Sequence, residues 1–261
     1  ANFLAAQPVS PLEKQHAVRS VLMAPVLDNV HAWQERFGIA EVWVMFNMTE
    51  VSSPLMRTGP VVDPATCGRP RPGAEVRVVD ENDIEVPPGQ VGELIVRTDL
   101  PWEMNLGYYG MPEATQAAWR NGWFHTGDAF RRDADGNHYY IDRIKDCIRR
   151  RGENVSSFEV ESEINTYDGV QESAVVAVPS EHGEDEIKAC IVARDGADIE
   201  LPGLVAHLAE RLPYFMVPRY YEVIPALPMT PTSKVKKADL RAAGRTSSTW
   251  DREAAGIKVS R

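Results

Sequence analysis

Four groups of residues combine chemically useful side chains with positions where a chain can present them. Thr126-Gly127-Asp128 closes the aromatic run Trp123-Phe124-His125, and a carboxylate on such a loop can accept two hydrogen bonds at once, which suits the vicinal hydroxyls of a ribose. Thr49-Glu50 follows the apolar run Val42-Trp43-Val44-Met45-Phe46, and in open α/β sheets ligands gather where strands end. Asp142 to Arg151 alternates acids with bases and carries four arginines, the pattern of a solvated linker or of a hinge whose charges change partners. Lys234 ends the run Leu227-Pro228-Met229-Thr230-Pro231-Thr232-Ser233, where two prolines forbid a helix interior and so put the lysine on a loop.

The elements that must hold these groups are legible in part. Val26, Val30, Trp33 and Phe37 recur at helical spacing over Pro25–Phe37, and Gly38 is placed to stop the helix. The near-continuous apolar run from Ile39 to Phe46 predicts a strand of a parallel sheet covered on both faces. From Val61 to Arg97, prolines and glycines punctuate short strands at Glu75–Asp80 and Glu93–Arg97, predicting antiparallel hairpins of a β subdomain or barrel. Asp133-Ala134-Asp135-Gly136 has the look of a calcium loop, but the sixth and twelfth positions that need glycine and glutamate hold His138 and Ile144, so it reads as a hairpin turn. Ser156 with Glu159 forms a capping box for a helix starting at about Ser157. Strands at Ser173–Val178, Ile187–Arg194 and Tyr220–Ile224 and a helix over Pro202–Leu212, with Leu204, Val205, Leu208 and Leu212 inward, complete a small α+β unit. The expected domains are 1–141 (α/β to residue 60, β-rich from 61), a hinge at 142–147, a mobile unit at 148–244, and a frayed polar tail at 245–261.

Composition narrows the function. A net charge of −10 without a long basic run argues against nucleic acid as a partner. Cys67, Cys147 and Cys190 are widely spaced, with neither pairing nor zinc spacing, and read as reduced thiols of a cytoplasmic protein. No apolar run approaches the roughly 20 residues of a membrane span. The start at Ala1 rather than Met is expected of a processed or excised chain.

Taken together, Phe46-Asn47-Met48-Thr49-Glu50, Gly92-Glu93-Leu94, Gly107-Tyr108-Tyr109, Thr126-Gly127-Asp128, Asp142-Arg143-Ile144-Lys145, Gly152-Glu153-Asn154-Val155-Ser156 and the loop ending at Lys234 follow one another in an order that resembles the adenylate-forming (AMP-binding) superfamily of acyl-CoA synthetases, luciferases and peptide-synthetase adenylation domains. The wording at 152–156 is most similar to acyl-CoA ligases of the carnitine/crotonobetaine type. The resemblance implies the end of a doubly wound N-terminal domain with a small β subdomain, then a small α+β C-terminal domain. It also implies a ligase that joins a carboxylic acid to ATP with magnesium and hands the acyl group to coenzyme A.

The same resemblance distributes roles. Phe46 and Asn47, standing where the family has Tyr-Gly, would lie by the adenine and the acyl group. Thr49 and Glu50 would serve phosphate and magnesium, Asp128 the ribose with Arg143 assisting, and Lys234 the acyl carboxylate and α-phosphate. Lys145 matches the hinge position, and Gly152 with Glu153 would meet the pantetheine arm. Ser233 replaces the family's glycine. No Gly-x-x-x-x-Gly-Lys and no Ser/Thr/Gly cluster ending in lysine is present, so the pocket for the two outer phosphates is expected upstream, in a missing N-terminal half. The chain is then expected to be inactive alone. A domain that loads a carrier protein and a degenerate, non-catalytic homologue are the alternatives, and homo-oligomerisation is left open.

Overall fold

The computed structural model describes residues 1–24, 26–27, 29–59, 63–150, 153–180, 183, 185–231 and 234–259. They form two compact units, Ala1–Ile141 and Asp142–Arg261.

The first unit opens with α1 (Asn2–Ala5), a 3-10 turn at Pro11–Lys14 and β1 (Ser20–Leu22). Next is α2 (Val30–Phe37), which starts later than its apolar spacing predicts. Val30, Trp33 and Phe37 are its buried face, and Gly38 ends it in the left-handed region at φ 68°. β2 (Glu41–Met48) pairs parallel with β1 and antiparallel with β3 (Ser52–Arg57). It is not covered on both faces as expected. Val42 and Val44 are buried against α2, while Glu41 and Trp43 face outward. In this chain a helix packs on one face alone, and the strand turns back at Thr49–Val51 into β3.

β4 (Thr66–Pro70), β5 (Ala74–Val79) and β6 (Val91–Thr98) follow, then α3 (Pro112–Ala118), β7 (Trp119–Arg120), β8 (Trp123–Arg132) and β9 (His138–Arg143). The sheet order is β1-β2-β3-β4-β9-β8-β6-β5, with β7 beside β8. β5 and β6 form the predicted antiparallel hairpin. The order is linear, with no pairing among the described residues that closes a barrel. The sheet nevertheless curls: Phe46 of β2 meets Phe130 of β8 edge to face at 4.9 Å, and Leu55, Val78, Leu94, Phe124 and Phe130 fill the inside of the bend. The Asp133 turn between β8 and β9 is held by its own carboxylate, which accepts from the Asn137 backbone N–H and amide side chain at 2.8 Å each.

In the second unit β10 (Ile148–Arg150) and β11 (Glu153–Val155) form a hairpin, followed by α4 (Ser157–Ile164), β12 (Val170–Pro179), β13 (Asp185–Ala193), α5 (Leu201–Arg211), β14 (Tyr220–Val223), α6 (Lys237–Ala243) and β15 (Trp250–Asp251). β12 and β14 flank β13, antiparallel and parallel respectively. β13 is buried almost throughout, and Val160 and Ile164 of α4 meet Leu204, Val205 and Leu208 of α5 over it. Ser156 caps α4 as its sequence predicts, accepting from the Glu159 N–H at 3.2 Å.

Two expectations are corrected here. Residues 245–259 do not fray: β15 pairs with β14, Arg219 donates to Asp251 through Nε and Nη2, and Arg252 is buried, donating to the carbonyls of Pro218 and Ile257. In 142–147 the two acids are not solvated either, although Arg143, Ile144 and Lys145 between them are exposed. The Asp142 carboxylate is 3% exposed and accepts from Ser157 N–H and Oγ–H at 2.6 and 2.5 Å, and Asp146 pairs with Arg241 at 2.5 Å. Acids that look solvated in sequence are occupied by the start of α4 and by α6.

Candidate functional site

β2 carries Phe46 and Asn47 to its end and delivers Thr49 and Glu50 into the turn before β3. Asn47 and Thr49 are exposed, Phe46 and Glu50 half-buried. Glu50 is held at two points by the segment between β6 and α3. Tyr108 Oη donates to its Oε1 at 3.1 Å, and the Asn105 backbone N–H donates to its carbonyl at 2.8 Å. Sequence reasoning gives Tyr108 no place in the site beyond the motif that contains it. The partners lie 58 positions apart, and nothing local to either announces the pairing.

Asp128 lies on β8 beside Gly127, two residues before the Phe130 that Phe46 touches. Only 1% of it is exposed. Cys67 on β4 is close enough for the Asp128 charge to act on it; burial raises the Cys67 thiol's pKa and that charge adds to the rise. Thr126, by contrast, is structural, donating to the Leu94 carbonyl at 2.7 Å and accepting from the Asp128 N–H at 3.1 Å. His125 is likewise held, its Nδ1 2.9 Å from Glu93 of the Gly92-Glu93-Leu94 strand.

The second unit holds Arg143, Lys145, Glu153 and Lys234, all exposed. Lys145 lies inside a turn in which the Arg143 carbonyl accepts from both Asp146 and Cys147 N–H. Arg150 and Glu153 are the last paired residues of the β10–β11 hairpin; Gly152 lies outside the described residues. Lys234 sits just before an isolated bridge of Val235 with Met229, and its N–H donates to Thr230 Oγ1 at 3.0 Å. Ser233 also lies outside the described residues. Among them, no hydrogen bond or ion pair links Lys145, Glu153 and Lys234 to one another.

The same unit holds a half-buried polar chain that sequence reasoning missed. Lys237 Nζ donates to Ser157 Oγ at 2.6 Å and pairs with Glu161 Oε1 at 2.7 Å. The same Glu161 oxygen accepts the Val175 N–H at 2.6 Å. Burial raises the Glu161 pKa, and Lys237 opposes the rise. Cys147 beside it is pushed up to about 12 by burial, with Asp142 and Asp146 adding to the shift.

Among the described residues, no group of three or more His, Cys, Asp or Glu side chains is placed to hold a metal ion by itself. A single carboxylate in a loop still fits magnesium, which is commonly held by one or two carboxylates together with substrate phosphates. No described helix is long and apolar enough to cross a membrane.

Mixed α/β architecture, a polar turn where β2 ends and a second α+β unit with an exposed loop lysine define a class, and sequence models place the chain in it. Residues 6–109 match the AMP-binding enzyme model and residues 159–234 the AMP-binding enzyme C-terminal domain; the chain belongs to this family. A crotonobetaine/carnitine–CoA ligase of Proteus mirabilis (strain HI4320) is 35% identical over 243 residues, 91% of this chain and 47% of the ligase. A feruloyl-CoA synthase of Amycolatopsis sp is 38% identical over 176 residues, 67% of this chain and 35% of that enzyme. In structure, ATP-bound MatB from Rhodopseudomonas palustris superposes with a TM-score of 0.72 at 31% identity, covering 87% of this chain and 45% of MatB. The chain thus spans about half the length of the curated relatives it matches.

Proposed function

We propose that the chain is the C-terminal half of an ATP-dependent acyl-CoA synthetase, a ligase that activates a carboxylic acid as its adenylate and transfers the acyl group to coenzyme A. The observation that carries this reading is the placement of Glu50, fixed by Tyr108 in the turn that ends β2, in a chain that matches both family models.

Bound ATP would supply the adenylyl group and the pyrophosphate leaving group, and magnesium the charge that neutralises it. Thr49 and Glu50 bind on the phosphate side, Phe46 and Asn47 flank the adenine and acyl group, and Asp128 accepts from the ribose hydroxyls with Arg143 alongside. Lys234 carries the positive charge that the α-phosphate needs as negative charge builds there. A cation aimed in advance at developing charge lowers the barrier without reorganisation when the bond breaks. Lys234 is on a different unit from Glu50 and Asp128, and a movement of the small unit would deliver it. Rotation at Lys145 would then withdraw it and present Gly152 and Glu153 to the pantetheine arm.

The test is a screen of carboxylic acids with ATP, magnesium and coenzyme A, on this chain alone and on the chain joined to the upstream half that its relatives have. Pyrophosphate release and a thioester from the joined protein, with none from the chain alone, is the expected result. Turnover by the chain alone contradicts the half-enzyme reading, and no turnover by the joined protein across the screen contradicts the ligase reading.

A further inference from the structure

The segment between β6 and α3 is anchored more firmly than a surface loop needs. Its Tyr108 N–H donates to Thr115 Oγ1 at 2.9 Å, and that hydroxyl donates to the Met111 carbonyl at 3.0 Å. Trp119 Nε1 donates to Asn105 Oδ1 at 3.3 Å. Gly107 closes against α3 at φ +133°, where an added Cβ would lie 2.7 Å from Thr115 Cγ2, so only glycine lets the segment sit there. Three residues around α3 thus fix Asn105 and Tyr108, and these two fix Glu50 through its main chain and its side chain.

We propose that Tyr108 is a positioning residue for a divalent cation at Glu50. Its hydroxyl occupies Oε1 and so restricts rotation of the carboxylate; Oε2 has no partner among the described residues. This rests on the reading of Glu50 as the magnesium-side carboxylate. The described residues offer no cluster of three ligands, so a cation here relies on few protein atoms and the direction of each counts for more. Magnesium accepts little departure from octahedral geometry. A carboxylate free to rotate would have to be ordered by the cation itself, whereas one held by Tyr108 is ordered beforehand. Thr115 acts one contact further back, by keeping Tyr108 in place.

Manganese serves as the probe, since it broadens nearby resonances. The 261-residue chain, with labelled methionine methyls, is titrated with Mn²⁺ in the presence of ATP, and the Met48 and Met104 signals flanking the site are followed. The unaltered chain should broaden at these two methyls, and Glu50→Gln should abolish the effect. Tyr108→Phe should reach the same final broadening but need at least about tenfold more manganese, the scale typical of losing a hydrogen bond to a ligating carboxylate. Thr115→Val should shift in the same direction by less, with both variants melting near the parent temperature. Tyr108→Phe titrating like the parent while Glu50→Gln is silent overturns the positioning role and leaves the Glu50 reading intact. Glu50→Gln broadening like the parent, or no broadening of the parent at all, overturns the Glu50 reading and the positioning role with it.

Discussion

Lys234 gains its meaning from what holds it and what does not. Its backbone is pinned to Thr230, yet its side chain is exposed and no described group pairs with it. An ammonium in that state is available to a ligand but does nothing for the fold of the unit that carries it. Lys234→Ala should therefore leave thermal stability unchanged. In the joined protein it should slow adenylate formation roughly 10²–10³-fold, the cost of one preorganised contact to developing charge. Conversion of chemically made acyl-adenylate and coenzyme A to thioester should persist if the proposed rotation withdraws the lysine before that step. Measuring the two half-reactions separately decides the matter: equal loss of both points to a structural role, and loss of neither makes Lys234 a solvent-facing residue. The sequence places this residue on a loop from its prolines alone, and Thr49 and Glu50 after a strand from the apolar run. It does not reveal that Asp128 is buried or that Tyr108 holds Glu50, since both depend on strands distant in sequence meeting in a curled sheet.

Elements with enough length to repeat a pattern were readable, and the short ones were not. α5 shows Leu204, Val205 and Leu208 at helical spacing, and all three are buried. β5 and β6 are bracketed by prolines and glycines and pair as read. β3 contains Pro54, β10 and β11 have three residues each, and α6 buries only Leu240, so no periodicity marks them. Yet α6 carries the lysine that ties the start of α4 together. Asp142 and Glu161 are two buried acids, and Lys237 is the cation between them through Ser157 and directly. Removing one partner of a buried pair typically costs about 3–5 kcal/mol, and the lower end applies here because both side chains keep 15% exposure. Lys237→Met should lose about that much stability in urea at neutral pH. Burial already raises Glu161, and losing the cation raises it further, so the folded variant binds a proton more tightly than the unfolded chain. Its stability deficit should then shrink as the pH falls and Glu161 protonates. Adding Glu161→Gln should recover most of the loss at neutral pH. A deficit that is flat with pH, or no rescue by the glutamine, would mean that the lysine acts through packing and not through its charge.

Over the whole molecule, two cores stand apart in sequence. Ile148, Val155, Val160, Ile164, Val175, Ile187, Ile191, Leu204, Leu208 and Tyr221 bury one another entirely within the second unit, and none needs a residue before Asp142 to do so. The division falls where the charged segment begins, and the final stretch reads as a polar tail in sequence because its anchoring residues are single and far apart. Arg219 meets Asp251, Glu222 accepts from Thr246 and Thr249, and Arg252 reaches two carbonyls that no local pattern foretells. Residues 142–261 expressed alone should accordingly fold and unfold in one cooperative transition, as domains with their own cores do. Ending the piece at Gly244 should be costly. It strips Trp250 from the ring of Tyr221 and leaves Arg219 and Glu222 without the partners just named. Large losses of stability come from uncovering apolar groups and orphaning charged ones together, and a deficit of about 3 kcal/mol or more is expected. Urea unfolding of 142–261 and 142–244 side by side gives the answer: equal midpoints would mean that the last residues lie on the unit without holding it, and a lower midpoint or failure to fold for the shorter piece would make them part of its core.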